Sequence, residues 1–330
     1  MDYILSFLLL IVGFVFLVKG ADFFVASSSS IARRFHVSPL VIGLTLVAFG
    51  TSLPELAVSF VASLTVAPGA TADIAMGNVV GSNIVNITLI LGLTALAKPV
   101  KVSKTMHRKE FPYLIFSSVL ILLLSLFFQS DTRIVWWEAL ILLVSFIGYV
   151  YLMIKTSKDG VSNEAIPQLD IKKAVFILII GIAGVSLGGW MVTRGAEQIA
   201  TSVLVSFFDM TLTKATTLVG LSIVAVGTSL PEMVTSVVAA KKGENEIAFG
   251  NLVGSNVFNV LFILGLSGLV TPLGINDDVM IDMYLMLGVT ILAVIMAISK
   301  NIVTKKEGSL LVFVYAAYLV YIILRALAIL

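Results

Sequence analysis

The chain has 330 residues, of which 59% are hydrophobic and only 12% are charged. Soluble domains carry about 25% charged and about 45–50% apolar residues. The composition therefore indicates an integral membrane protein and excludes most soluble enzymes, nucleic-acid binders and secreted domains. The sequence contains no cysteine, which excludes disulfide frameworks and thiolate metal sites.

Ten apolar segments are long enough to cross a membrane as helices, because a span needs about 20 mostly apolar residues. Continuous apolar runs such as residues 114–128 contradict a β-barrel, whose strands alternate over about 10 residues. The sequence therefore predicts an all-α integral membrane protein with ten transmembrane helices. In chain order the segments cover roughly residues 3–30, 39–64, 73–97, 111–130, 132–154, 172–195, 212–240, 247–270, 279–299 and 308–329.

The basic residues lie mainly in alternate breaks between these segments. Sixteen of the 21 lysines and arginines fall in the odd-numbered breaks, whereas the even-numbered breaks hold only Arg133 and Lys214. Cytoplasmic loops of membrane proteins are enriched in lysine and arginine. The pattern therefore predicts that the odd-numbered breaks are cytoplasmic and that both termini lie on the outer side.

A polar break divides the chain into two parts of five helices each. We expect a first five-helix repeat at residues 1–154, a cytoplasmic linker at residues 155–171 and a second five-helix repeat at residues 172–330. The short loops, without a soluble regulatory insert, favour a multi-pass protein of the cell membrane, such as a prokaryotic inner membrane.

Two segments of the first half recur in the second half. Residues 43–63 and 220–240 are identical at 13 of 21 positions, and residues 74–93 and 247–266 are identical at 13 of 20. Because each half holds an odd number of helices, the two copies would cross the membrane in opposite directions. Such inverted-topology repeats are common in secondary transporters, which bind substrate near the membrane midplane between the repeats.

Each copy of the first segment places one glutamate deep in an apolar helix, Glu55 in the first half and Glu232 in the second. An ionisable side chain costs at least about 2.5–3.5 kcal/mol at the centre of a span, and neither motif contains a lysine or an arginine. Two carboxylates at equivalent depth would repel each other unless a cation or a proton lay between them. The two glutamates therefore indicate a cation site.

Both glutamates follow a proline in the repeated sequence GTSLPE, at Pro54 and Pro231. Proline lacks an N–H group and breaks a helix, which would direct freed carbonyl oxygens and Ser or Thr hydroxyls into a cavity. Oxygen ligands of this kind suit calcium and sodium. The lack of nitrogen and sulfur ligands argues against zinc or copper.

The second repeated segment contains the motif GNxxGSNxxN, at residues 77–86 and 250–259. In the first copy Asn78, Ser82 and Asn86 are each four residues apart, so they share one helix face. The second copy has the same spacing. Three such side chains make a face too polar for packing alone, although some of the amides could satisfy the broken backbone of a neighbouring helix.

The paired GTSLPE and GNxxGSN motifs resemble the repeats of the calcium/cation antiporter superfamily, and in particular its prokaryotic sodium/calcium exchanger-like branch. The resemblance covers nearly the whole chain, since four motif copies occur in the expected order. It implies a transporter rather than an enzyme, which exchanges Ca²⁺ for Na⁺ by alternating access. It also implies that the long first helix and its counterpart near residues 172–203 move against the other helices.

The resemblance implies a set of ion ligands, matched residue by residue. The calcium ligands would be the carboxylates of Glu55 and Glu232 with the backbone carbonyls of Thr51 and Thr228. The sodium ligands would be Ser52, Ser229, Ser82 and Ser255 with the carbonyls of Ala48 and Ala225, and Asn86 and Asn259 would lie centrally. Some relatives, including potassium-dependent ones, carry aspartate at the position of Asn259, so asparagine here makes potassium dependence less expected.

The sequence leaves other functions open. Calcium/proton exchange is the main alternative, because a buried glutamate can also exchange protons. A cation channel is less expected, since one chain already supplies a complete pair of motifs. An intramembrane hydrolase is disfavoured because His107 lies in a basic loop away from Ser52 and Ser229. We expect calcium ions, sodium ions and the lipid bilayer as partners, with no cofactor, no nucleic acid and no obligate protein partner.

Overall fold

The computed structural model describes residues 3–35, 37–67, 69–103, 106–127, 133–156, 170–208 and 225–326, and positions 211, 212, 215, 219 and 223. These residues form helices joined by short connections. The helices are α1 (Tyr3–Arg34), α2 (Pro39–Thr51), α3 (Leu53–Thr65), α4 (Asp73–Ala97), α5 (Met106–Phe127), α6 (Trp136–Thr156), α7 (Ile171–Phe207), α8 (Ala225–Thr228), α9 (Leu230–Lys242), α10 (Asn245–Val270), α11 (Asp277–Lys300) and α12 (Lys305–Ala326).

The prediction of a helical membrane protein is confirmed. Within the ranges given above, eight helices are long and apolar enough to cross a membrane, and the bent pair α2–α3 would make a ninth if it is one span. The count of ten stays a prediction, because the segment expected at residues 212–240 is described as a continuous run only from Ala225 onward. Most of the expected linker, residues 157–169, lies outside the described residues.

Two helix boundaries differ from the predictions. The segment expected at residues 111–130 begins at Met106, where a π-helical turn of residues Met106–Glu110 precedes the regular helix. The segment expected at residues 172–195 continues to Phe207. Apolar runs indicate only the part of a helix that lies within the bilayer. The parts that extend beyond it carry charged residues, so the predicted segments are shorter than the helices.

The two long helices, α1 and α7, pack against each other as an antiparallel pair. Their contacts run from Gly195 beside Ser6 to Gly181 beside Phe24. Glycines at these points bring the backbones close together, as small residues do between membrane helices. The outward faces of both helices are apolar and exposed, which suits contact with lipid.

The centre of the protein is formed by α4 and α10, whose side chains are mostly buried. Gly250 and Gly254 of α10 lie directly against the backbone of α2 at Leu40 and Leu44, so α10 packs tightly on the first half of the broken helix. Two short antiparallel strand pairs fix the loop ends. They are Val100–Lys101 with Ile302–Val303, and Arg133–Ile134 with Leu273–Gly274.

Replacing Gly20 with alanine should destabilise the packing of α1 on α7. A Cβ atom at Gly20 would lie 2.6 Å from the backbone nitrogen of Val185 and 2.8 Å from the carbonyl carbon of Gly184, and these backbone atoms cannot move aside freely. We expect a loss of about 1–3 kcal/mol, measured as a lower midpoint of thermal unfolding in detergent. Gly148→Ala is the matched control, because a Cβ there has no neighbour within 4 Å. Equal midpoints for the two variants would contradict this packing.

Candidate functional site

The two repeated proline motifs form two helix breaks. Ser52 separates α2 from α3, which are bent by 51° relative to each other, and its backbone angles of φ −84° and ψ 11° are not those of a regular helix. Ser229 separates α8 from α9 with nearly the same angles, φ −89° and ψ 8°. At both breaks the proline lies in the first turn of the second segment. Backbone N–H groups in the first turn have no acceptor within the helix, so proline, which has no N–H group, does not cost a hydrogen bond there.

The breaks bring each serine to the glutamate of the other half. The Ser52 hydroxyl donates a hydrogen bond to Oε1 of Glu232 at 2.8 Å, and the Ser229 hydroxyl donates to Oε1 of Glu55 at 3.0 Å. All four side chains are fully buried. The two serines and two glutamates, which are four of the predicted ligands, therefore meet in one place.

Both carboxylates lie at the start of a helix. Glu55 is in the first turn of α3 and Glu232 is in the first turn of α9. The N-terminus of a helix carries a partial positive charge that stabilises a nearby carboxylate. This field compensates only part of a buried negative charge, so the remaining charge must be neutralised in another way.

Within the part of the chain that the structure describes, the two carboxylates have no basic partner. They lie within electrostatic range of each other, and among the residues that the structure describes neither forms an ion pair with lysine or arginine. Each also leaves its second oxygen, Oε2, buried and without a hydrogen bond. A buried unpaired charge is strongly unfavourable, and a bound cation or a proton would remove that cost.

Neutral oxygens without hydrogen bonds lie on the two central helices. Four of them come from the two copies of the asparagine motif, and each of these four belongs to a residue predicted as a ligand. They are Ser82 Oγ and Asn86 Oδ1 on α4, and Ser255 Oγ and Asn259 Oδ1 on α10. Together with two carboxylates, such oxygens are the donors that hard cations prefer. Among the described residues, no group of three or more His, Cys, Asp or Glu side chains could hold a metal ion. A cation bound by this set would therefore depend on the two glutamates for negative charge.

The central helices meet through Asn83 and Asn256, which are not among the predicted ligands. Asn83 donates through Nδ2 to the carbonyl oxygen of Asn256 at 3.1 Å, and Asn259 donates through Nδ2 to Oδ1 of Asn83 at 3.1 Å. The signal was present in the sequence, because Asn83 and Asn256 occupy the same position in the two motif copies. Their contacts hold α4 and α10 together beside the predicted ligands.

Each central helix changes to π-helical geometry at a predicted ligand. The π-helical stretches are Asn86–Ile90 and Asn259–Ile263. Such π-bulges occur frequently at functional sites. They change the rotation of the helix, so that the residues before and after Asn86 or Asn259 no longer follow one regular face.

The first asparagine of each motif braces a broken helix. Asn78 donates to the Glu55 carbonyl at 3.3 Å and to the Ser59 hydroxyl at 2.9 Å. Asn251 donates to the Glu232 carbonyl at 3.4 Å and to the Ser236 hydroxyl at 3.0 Å. These amides therefore attach α4 and α10 to the first turn after each break. The groups that a helix leaves without partners at its start are N–H groups, so the expectation that amides satisfy the broken backbone stays a prediction. Their serine partners were not predicted, although each stands four residues after a glutamate and thus on the same helix face.

One of these braces also links the two halves. Oδ1 of Asn251 accepts a hydrogen bond from the Thr51 hydroxyl at 3.0 Å. The Thr51 side chain is therefore engaged in holding the break. Its predicted role as a ligand concerns the backbone carbonyl instead.

The four predicted carbonyl ligands lie within the last turn before the two breaks. Thr51 and Thr228 are the last residues before the breaks, and Ala48 and Ala225 lie three residues before them. The Ala48 carbonyl accepts from the backbone nitrogen of Ser52 at 3.0 Å. In the second half the corresponding nitrogen, on Ser229, donates to Val226 at 3.1 Å rather than to Ala225. The two breaks are thus similar but not identical.

The chain is similar to known exchangers over most of its length. The family profile described as sodium/calcium exchanger protein matches residues 5–155 and 173–324. The chain is 34% identical over 363 aligned residues to the sodium/calcium exchanger MaX1 of Methanosarcina acetivorans, covering 96% of this chain and 97% of that protein. It is 38% identical over 275 residues to the inner membrane protein YrbG of Escherichia coli, covering 82% of this chain and 81% of that protein.

Solved structures of the sodium-calcium exchanger NCX_Mj have a similar fold. The structure soaked with 10 mM Na⁺ and 10 mM Sr²⁺ gives a TM-score of 0.77 at 30% identity, covering 95% of this chain and 97% of that chain. The structure soaked with zero Na⁺ and Ca²⁺ gives a TM-score of 0.78 at 30% identity, covering 97% of this chain and 99% of that chain.

Asn251→Ala should destabilise the protein more than Asn78→Ala. The Asn251 amide is fully buried and makes three hydrogen bonds, one of them to Thr51 in the other half, whereas Asn78 is partly buried and makes two within its own half. Each buried group left without a partner costs about 1–3 kcal/mol. Thermal unfolding of the two variants in the same detergent measures the difference. An equal loss of stability would contradict the bracing role that links the halves.

Proposed function

We propose that this chain, which belongs to the sodium/calcium exchanger family, is a secondary active antiporter that exchanges Ca²⁺ for Na⁺. The observation that carries the proposal is the reciprocal pair of Ser52–Glu232 and Ser229–Glu55 hydrogen bonds. It joins two buried carboxylates to the two helix breaks and leaves one oxygen of each carboxylate without a hydrogen bond.

The charge of the site supports exchange between these two ions. Two carboxylates carry two negative charges, which one Ca²⁺ or two Na⁺ would neutralise. Because both ions would use the oxygens of Glu55 and Glu232, binding of one excludes binding of the other. The neutral oxygens of Ser82, Asn86 and Ser255 would complete the coordination, together with the Asn259 amide and the carbonyls of Ala48, Thr51, Ala225 and Thr228.

Coupled exchange of the two ions also requires that the protein does not change conformation while the site is empty. A ligand shifts a conformational equilibrium only through its different affinity for two states. Two unneutralised carboxylates inside the bilayer would disfavour passage through an occluded state, whereas an occupied site would permit it. The pair α1–α7 is the proposed moving part, since its helices contact each other extensively and present exposed apolar faces.

We also propose the full topology predicted from the sequence. It consists of ten spans in two inverted five-helix repeats, with both termini on the outer side of a prokaryotic inner membrane. The matching breaks at Ser52 and Ser229 and the matching braces at Asn78 and Asn251 support the repeat. The similarity to an Escherichia coli protein described as an inner membrane protein supports the location.

Calcium/proton exchange is the second candidate, and one observation favours it. The free oxygens of Glu55 and Glu232 could be neutralised by protons as well as by Na⁺. The neutral oxygens on α4 and α10 would serve Ca²⁺ in either case. They fit Na⁺ as the second ion, because Na⁺ can use them as ligands and a proton on a carboxylate does not.

Flux measurements in proteoliposomes test the proposal. An outward Na⁺ gradient should drive uptake of radioactive Ca²⁺, whereas a pH gradient of the same size should not, and replacing K⁺ with choline should change nothing. In this assay Glu55→Gln and Glu232→Gln should each abolish Ca²⁺ uptake, because each removes a charge needed to neutralise Ca²⁺. Size-exclusion chromatography checks that both variants remain folded.

Glu110→Gln is the control variant. This variant also replaces a buried acid of a membrane-spanning helix, α5, with a neutral amide. It should retain Ca²⁺ uptake driven by Na⁺. Normal uptake in Glu55→Gln or Glu232→Gln would disprove the site assignment. Uptake driven by the pH gradient alone would instead establish the proton-coupled alternative.

A further inference from the structure

A cavity of about 330 Å³ adjoins both helix breaks. One wall contains Pro54 and Pro231, the residues that immediately precede the two site glutamates, together with Gly227 and Thr228 at the second break. The opposite wall is a stretch of α7 that includes Thr193. The cavity therefore lies between the proposed moving helix and the residues that hold the carboxylates.

Two charged residues, Arg194 and Glu197, also line this cavity. Nη1 of Arg194 lies 3.2 Å from Oε2 of Glu197, and the two side chains are 55% and 33% exposed. The other lining residues in the described part of the chain are uncharged. The net charge of the cavity lining is thus close to zero because these two side chains balance each other.

The position of Arg194 and Glu197 along α7 places this ion pair near the outer surface in the proposed topology. At about 1.5 Å per residue, Glu197 lies roughly 40 Å along the helix from Ile171, which follows the predicted cytoplasmic linker. A cation that reaches the glutamates through the cavity would therefore pass the Arg194–Glu197 pair first.

We propose that Glu197 is the residue that draws cations into this access cavity, and that Arg194 is a counter-charge that limits its effect. The pair sets how fast external ions reach the site and how strongly the entry favours Ca²⁺ over Na⁺. This inference rests on the proposed transport function and adds to it a residue outside the ligand set.

Electrostatics gives the inference a quantitative signature. Clefts with low-dielectric walls focus the field of nearby charges and change the rate at which ions enter. The energy of an ion in that field is proportional to its charge, so a potential that changes Na⁺ entry by some factor changes Ca²⁺ entry by the square of that factor. A variant whose transport is slowed only by a structural defect would not show this squared relation between the Na⁺ and Ca²⁺ rates.

The test measures self-exchange in oriented proteoliposomes at subsaturating ion concentrations and low ionic strength. Ca²⁺/Ca²⁺ exchange and Na⁺/Na⁺ exchange are followed separately, with the labelled ion added on the outer side. Glu197→Gln leaves Arg194 unbalanced and should slow Na⁺ entry about threefold and Ca²⁺ entry about tenfold. Arg194→Gln should accelerate both, again with the larger change for Ca²⁺. Added choline chloride should reduce all four changes by screening.

Asp277→Asn is the matched control. Asp277 is an exposed acid at the start of α11, predicted to lie on the same side of the membrane and absent from the cavity lining. It should leave both rates unchanged. Changes in the same direction for Glu197→Gln and Arg194→Gln, equal factors for the two ions, or a matching effect of Asp277→Asn would each overturn the inference.

Measurement of Ca²⁺ self-exchange distinguishes a failure of the proposed cavity role from a failure of the proposed sodium-coupled function. If the wild-type protein carries no Na⁺, the sodium-coupled function fails. The opposite effects of the two variants on Ca²⁺ self-exchange would still support the role of the cavity.

Discussion

Glu55 and Glu232 place two carboxylates in the interior of an apolar helical fold, where each is fully buried and receives one serine hydrogen bond from the opposite half. Most of the surrounding features reduce the cost of these charges. The helix breaks put both carboxylates at helix N-termini, and the reciprocal serines satisfy one oxygen of each. The negative charge that remains on the two carboxylates requires a cation or a proton. This requirement is the physical basis of the proposed exchange.

The helix breaks are themselves held by the central helices. Asn78 and Asn251 donate hydrogen bonds to the carbonyls of the glutamates, so a side chain from a neighbouring helix holds the backbone just after each break. Asn251 also binds Thr51 in the other half. The geometry at one carboxylate therefore depends on contacts with the other half, which suits a site that must form or open as a unit.

Several features of the site could be predicted from the sequence because they depend on local chemistry. Proline predicts a helix break, and a glutamate in an apolar run predicts a buried charge that needs a partner. The choice of partner could not be predicted in the same way, because helical periodicity shows which residues share a face but not which neighbouring helix that face meets. The reciprocal serine contacts, the Asn83–Asn259 bond and the position of Arg194 beside the breaks depend on that tertiary arrangement.

Competition between Ca²⁺ and Na⁺ for the purified protein tests the central claim most directly. Equilibrium binding of radioactive Ca²⁺ in detergent should be displaced by NaCl more steeply than in proportion to its concentration, because two or more Na⁺ replace one Ca²⁺ at Glu55 and Glu232. Choline chloride at the same ionic strength should not displace it. Ca²⁺ binding that is insensitive to Na⁺, or that persists when both glutamates are replaced by glutamine, would contradict the account.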